Sequence, residues 1–111
     1  MKLIDFNKFR EVDMRVGEVI RAEPFFEAVK PALKLWIQFG GDLGLKKSSA
    51  QITANYNTEN LVGRKIIAVV NLKPRQIASF MSEVLVLGAL SANGITLLTT
   101  DNDVNVGERV H

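Results

Sequence analysis

The chain has 111 residues, 47% apolar and 23% charged side chains, eight Gly, three Pro, no Cys, one His and a net charge of +2. That is enough chain for one hydrophobic core. Without Cys, and with its only His at position 111, it lacks the residues for a structural zinc site, a thiol nucleophile or a His-based triad, and the near-neutral total by itself gives no support to a nucleic-acid partner.

From Met1 to Arg10, charged Lys2, Asp5, Lys8 and Arg10 interleave with Leu3, Ile4, Phe6 and Phe9, which is not the pattern of a signal peptide, and no later window approaches a membrane span. A soluble cytoplasmic protein with one domain over residues 1–111 is the expectation. Asp5 is placed to cap a short helix over about Phe6 to Glu11. From Val12 to Glu23 the sequence alternates, with Val12, Met14, Val16, Ile20 and Ala22 on one parity and Asp13, Arg15, Arg21 and Glu23 on the other. A strand of that length would reach about 40 Å, so it must coil, and Gly17 is the expected position of a bulge.

Glu23 to Pro31 reads as a loop, and Leu33 to Phe39 as a strand with Leu35, Ile37 and Phe39 facing one way and Lys34, Trp36 and Gln38 the other. Gly40, Gly41, Asp42 and Gly44 mark a turn into a third strand, Leu45 to Ile52. Thr58 to Val62 suits one helical turn, capped by Thr58 and closed by Gly63. Ile66 to Leu72 and Val84 to Leu90 are two strands with near-continuous apolar runs, and Ile95 to Thr99 with Val104 to Val110 supplies short C-terminal strands. Five main strands with a short helix between the third and fourth is the order of an all-β, five-stranded OB-fold barrel, here with extra N- and C-terminal elements, and a mixed α+β arrangement is the competing reading.

The charges are segregated. Residues 30–75 carry eight basic side chains (Lys30, Lys34, Lys46, Lys47, Arg64, Lys65, Lys73 and Arg75) against two acidic ones, whereas residues 1–29 and 76–111 are net acidic. A basic middle fits either an anionic partner or ordinary solvated strand faces. Trp36 shares a face with Lys34 and leaves the main core, where it can stack a base, grip a peptide or pack in a subunit contact. Phe25, Phe26, Phe80 and Met81 fall in predicted loops, where they either close the barrel ends or form an adaptable peptide-binding rim with Trp36. Because Val84 to Leu87 is apolar on both parities, one face needs a cover, and a homodimer supplies it economically. Val84, Val86, Phe6 and Phe9 are the candidate dimer contacts, the alternative for the helix being that it plugs its own barrel.

No catalytic constellation, metal-ligand set or cofactor motif is present. The glycines at 40, 41 and 44 precede a strand rather than a helix and so make a turn rather than a phosphate loop. A binding module is expected rather than an enzyme.

Five segments carry a family likeness: Val12-Asp13-Met14-Arg15-Val16-Gly17, Ala22-Glu23-Pro24, Lys30-Pro31-Ala32-Leu33-Lys34-Leu35, Leu61-Val62-Gly63-Arg64-Lys65 and Asn71-Leu72-Lys73-Pro74-Arg75. Over its full length the chain resembles the tRNA-binding-domain family of OB-fold proteins. Lys34-Leu35-Trp36-Ile37, Lys47-Ser48-Ser49-Ala50-Gln51-Ile52 and Phe80-Met81-Ser82-Glu83-Val84-Leu85-Val86-Leu87-Gly88 look like its branch of homodimeric chaperones associated with protein export. The tRNA-binding members show Ser-x-Gly-Met where this chain has Ser82-Glu83-Val84-Leu85, and Val in place of Gly blocks close approach there. The resemblance implies a ligand surface of Lys34, Asn71, Lys73, Arg75 and Ser82. It implies preproteins or unfolded polypeptides as partners of an ATP-independent chaperone, with tRNA as the alternative ligand and recruitment of the export ATPase as a weaker third role.

Overall fold

The computed structural model describes residues 1–111. Its main sheet has five strands, β3 (Leu45–Ala50), β2 (Leu33–Gln38), β1 (Met14–Pro24), β4 (Lys65–Val69) and β7 (Leu85–Val86) in that order, and curls into a nearly closed barrel. Strand β1 (Met14–Pro24) is the spine. Its first half pairs antiparallel with β4 (Lys65–Val69) and its second half with β2 (Leu33–Gln38), which in turn pairs with β3 (Leu45–Ala50).

The long first strand coils as expected, but the bulge is not at Gly17. The register shifts between Val19 and Arg21, so Ile20 is the extra residue and turns out to solvent while Val19 is fully buried. This one-residue insertion overturns the parity expected for Ile20. Gly17 has a different task. A Cβ there would stand 2.6 Å from Ile37 Cγ2 and Phe39 Cε1, so the missing side chain lets β1 lie against the largest residues of the core.

Leu33, Leu35 and Ile37 alternate inward from β2, and Phe39 continues the inward parity just past its end, as the sequence predicts. With Val19, Ile52, Ile66, Ala68 and Val84 they fill the barrel, and Leu61 closes its end from the single helical turn α2 (Thr58–Leu61). The cap of α2 is Asn57, not Thr58. The Asn57 side chain accepts the N–H groups of Glu59 and Asn60, and Asn60 returns the bond to the Asn57 N–H. Helix α1 (Phe6–Glu11) occupies the expected span, but Asp5 makes no side-chain cap and no residue of the helix is buried. The helix does not plug the barrel. Instead it lies beside the C-terminal segment, where Arg109 donates to the Arg10 carbonyl.

That segment runs along the free edge of the first half of β1. Gly107 and Val110 donate to the carbonyls of Val16 and Met14, and Val16 donates to Glu108. The apolar run expected as one strand from Val84 to Leu90 is broken. β7 covers only Leu85–Val86, and Gly88–Ser91 (β8) leaves the barrel to form a hairpin with Gly94–Leu97 (β9). A further hairpin, β5 (Arg75–Ile77) with β6 (Phe80–Ser82), occupies a stretch read as loop. Its turn places Ala78 at φ 51°, a conformation that usually calls for Gly, so the sequence carries no turn signal there. No helix is long and apolar enough to cross a membrane.

Candidate functional site

The β5–β6 hairpin folds over the outer face of β2 and creates a second, smaller core of Phe25, Ala32 and Phe80, with Trp36 and Ile77 packed against it. Phe80 meets Phe25 and Trp36 edge-on at centroid distances of 5.5 and 5.8 Å. Cations cover the outside of this cluster. Lys34 Nζ lies 4.9 Å from the Phe25 ring and 5.5 Å from Phe80, Lys47 Nζ lies 5.3 Å from Phe80, and the Arg21 guanidinium sits over Trp36 at 4.7 Å. Three of the five aromatic and Met candidates are therefore packed together. Phe25 and Phe80 are buried, and Trp36 is half-buried between Phe80 and Arg21. Phe26 stands 86% exposed on the β1–β2 loop, and Met81 is at the border of exposure on β6.

The five residues assigned by family likeness separate into two groups. Lys34 is held by Glu27 and by the two rings. Asn71 is a latch: its Oδ1 accepts the Asp13 N–H at 2.9 Å, and its Nδ2 donates to the Glu11 carbonyl at 2.7 Å, fixing the exit of α1. The Ser82 hydroxyl accepts the Ser49 N–H at 3.0 Å. Lys73 and Arg75 alone of the five are exposed without any ion pair or side-chain hydrogen bond. Beside Asn71, Asp13 receives Arg15 Nε at 2.6 Å and has Arg109 Nε at 3.7 Å. The Arg15 hydrogen bond holds the Asp13 carboxyl below its ordinary pKa and raises that of Arg15 in turn.

Lys73 and Arg75 stand at the lip of a cleft between β3 and the segment that includes β7. One part, about 160 Å3, is lined by residues including Leu72, Lys73, Arg75, Ile77, Ser82 and Leu85. The adjoining part, about 400 Å3, shares Ser49, Arg75, Ile77 and Leu85 and adds Gln51, Val86, Leu87 and Ile95. Leu72, Leu85, Gln51 and Ile95 escaped the sequence reading because a cleft formed by strand separation leaves no periodic signal. The proposed dimer contacts are likewise re-sorted. Val84 is buried in the barrel and Val86 packs against it, whereas Leu85 on the other parity is half-exposed and Leu90 is 81% exposed. Phe6 is exposed and Phe9 is half-buried beside it, ring centroids 6.1 Å apart.

The curled five-strand sheet, the helical turn between β3 and β4 and the cleft at the seam together define an OB-fold domain. The family described as "Putative tRNA binding domain" matches residues 14–109, and the chain belongs to that tRNA-binding-domain family. Two solved CsaA chaperone proteins are similar from end to end. The one from Picrophilus torridus is 50% identical with a TM-score of 0.93, covering 98% of this chain and 100% of that one. The one from Bacillus anthracis is 45% identical with a TM-score of 0.92, covering 99% of this chain and 100% of that one. Among curated proteins, the methionine–tRNA ligase of Bdellovibrio bacteriovorus is 42% identical over 108 residues, 96% of this chain but 15% of the ligase. That of Methanocaldococcus jannaschii is 36% identical over 111 residues, 99% of this chain and 17% of the ligase. The chain thus spans only a small part of these curated relatives and corresponds to one domain of them.

Proposed function

We propose that the chain is a non-catalytic molecular chaperone that works without ATP, holding unfolded or pre-secretory polypeptides for export as a cytoplasmic homodimer. The observation that carries this reading is the cleft. It combines an apolar lining of Leu72, Ile77, Leu85 and Ile95 with two cations, Lys73 and Arg75, that no internal partner neutralises. Apolar contact supplies affinity for exposed client side chains, and the cations favour segments that also carry acidic groups. Similarity to the CsaA chaperones over the whole of both chains supports it. In the homodimer, the exposed face of Phe6 is covered by the second copy.

The test is a light-scattering assay of a chemically denatured protein diluted into buffer without nucleotide. A stoichiometric amount of the chaperone delays aggregation. If it neither does so nor binds preprotein peptides, the reading fails.

The same free cations favour a second reading, structure-specific tRNA binding by the dimer, which the family match supports. That reading predicts affinity at low salt that falls steeply as salt rises, with a log-log slope of about −0.7 to −0.9 per phosphate contact. A filter-binding titration with no retention at low salt disposes of it.

A further inference from the structure

One edge of the cleft is an unpaired piece of strand. In β7, Leu85 stands opposite Val69 and Val86 opposite Ala68, and Leu87 donates its N–H to the Ile67 carbonyl at 2.9 Å. Antiparallel ladders alternate hydrogen-bonded and non-bonded pairs. A bonded pair at Leu87 makes Val86 the non-bonded one, so its N–H and C=O point away from β4. The other side of β4 agrees. Val16 uses its N–H and C=O on Glu108 and Gly107, which leaves its neighbour Arg15 to bond Ala68. Ala68 is therefore turned toward β1 and not toward Val86.

Across from Val86 the opposite bank is Ser49, Ala50 and Gln51, with the cleft of about 400 Å3 between. The two banks are joined only at one end. There, Glu83 and Val84 donate their N–H groups to the Lys47 carbonyl, and the Glu83 and Ser82 side chains accept the N–H groups of Lys47 and Ser49. Beyond Ser49 the two banks are not paired, β3 and β7 being the two ends of the sheet, and the Val86 N–H and C=O, turned away from β4, face the gap between them. An open edge of this kind, with free donor and acceptor above an apolar floor, is a template for an added strand.

We propose that the cleft receives an extended polypeptide segment as an extra strand on β7. Val86 exchanges backbone hydrogen bonds with it, alternate client side chains lie against Ile77, Leu85 and Ile95, and an acidic side chain meets Arg75 and Lys73. This rests on the polypeptide-holding function and adds the mode of recognition. Because the bonds go to the client backbone, recognition tolerates many sequences, provided the segment is extended, apolar on one face and free of Pro at the bonded position.

The probe is a dye-labelled peptide of about eight residues, the length of an ordinary strand, alternating Val and Thr with one central Asp. Two versions are N-methylated, each on one parity of its amides. Strand addition makes one version bind at least roughly tenfold more weakly, while the other stays within about twofold of the parent. Val86→Pro removes only the outward N–H and spares the β4 ladder. It weakens the parent peptide by roughly three- to tenfold, with the circular dichroism of the protein unchanged. Equal loss for both methylated versions, or no peptide binding while a denatured protein is still held, overturns strand addition and leaves the chaperone function standing. Failure to hold denatured protein removes that function itself. Dissociation of a dimer on peptide addition, or loss of tRNA binding in Val86→Pro, assigns the cleft to a second copy or to RNA and overturns the proposal. Should Val86→Pro not fold, the two methylated peptides decide on the unmodified protein.

Discussion

Ser49 donates its backbone N–H to the side chain of Ser82 at 3.0 Å. Together with the Lys47 N–H bound to Glu83 Oε1, it adds side-chain bonds to the two backbone bonds that the Lys47 carbonyl accepts from Glu83 and Val84, and so closes one end of the barrel. The two side-chain acceptors are neighbours in sequence, and they leave the rest of the β3–β7 seam open. Ser82, which family likeness places on the ligand surface, thus also holds the two banks of the cleft together.

Ser82→Ala is therefore expected to lower stability by about 1 kcal/mol, the cost of an unpaired, partly buried N–H. Urea unfolding monitored by far-ultraviolet circular dichroism measures it. Ser82→Thr, which keeps the hydroxyl, should recover most of the loss, whereas a Ser82 that only touched ligand would leave the unfolding midpoint where it is.

Gly17→Ala places a methyl group 2.6 Å from both Ile37 and Phe39, two fully buried residues. Overpacking of this kind costs about 1–3 kcal/mol. Pairing it with Phe39→Leu, which opens space at that contact, should cost less than the sum of the two single changes. Thermal unfolding of all four proteins checks the coupling.

The aromatic residues should divide by burial. Phe80→Ala removes the ring that Phe25 and Trp36 both contact, and is expected to destabilise the fold by about 3–5 kcal/mol. Phe26→Ala, at a fully solvated loop position, should stay within about 0.5 kcal/mol of the parent. Denaturant midpoints separate the two cases, and only the second variant is then fit to test whether the loop contributes to client binding.

The contrast between β2 and β7 explains what could be read from sequence. β2 buries one face fully and the other, under the β5–β6 hairpin, only in part, so Leu35, Ile37 and Phe39 still alternate cleanly with Lys34, Trp36 and Gln38. Val84 to Leu87 is apolar on both parities because one side fills the barrel and the other lines a cleft; periodicity cannot distinguish those surroundings, nor place the break before Gly88. The β5–β6 hairpin was hidden because Ala78 holds the turn without Gly. Asn57 and Thr58 are both acceptable cap residues, and only the backbone decides between them. At the site, charge segregation singled out the middle of the chain. It could not tell Lys73 and Arg75, which are free, from Lys34, which is engaged, because that depends on which aromatic residues and acids the fold brings alongside.

Lys73→Glu with Arg75→Glu should leave stability nearly unchanged, because neither side chain has an internal partner. Holding of denatured, acidic test proteins should weaken. If tRNA is bound at the same lip, its salt dependence should become shallower by about 1 to 2 in log-log slope, one phosphate contact for each cation removed. Fluorescence anisotropy titrations over a range of salt concentrations read both effects on one preparation.

Asp13 carries the pH dependence that the structure predicts most directly. Its hydrogen bond from Arg15 depresses the folded-state pKa below the ordinary 3.8, with the charges of Arg15 and Arg109 acting in the same direction against partial desolvation. A depressed acid stabilises the fold fully above its unfolded pKa, and that contribution is lost as the pH falls through 3.8 toward the lower folded value. Asp13→Asn cannot ionise and keeps none of that dependence. Its unfolding free energy should lie below that of the parent at neutral pH, and the difference should shrink as the pH is taken below about 4. The same clasp joins β1 to the C-terminal segment through Arg109, and Asn71 fixes the Asp13 N–H beside the exit of α1. Hydrogen exchange in Asp13→Asn should accordingly rise first at Val16, Gly107 and Val110, whose N–H groups bridge β1 and the C-terminal segment, while β2 and β3 keep the protection of the parent.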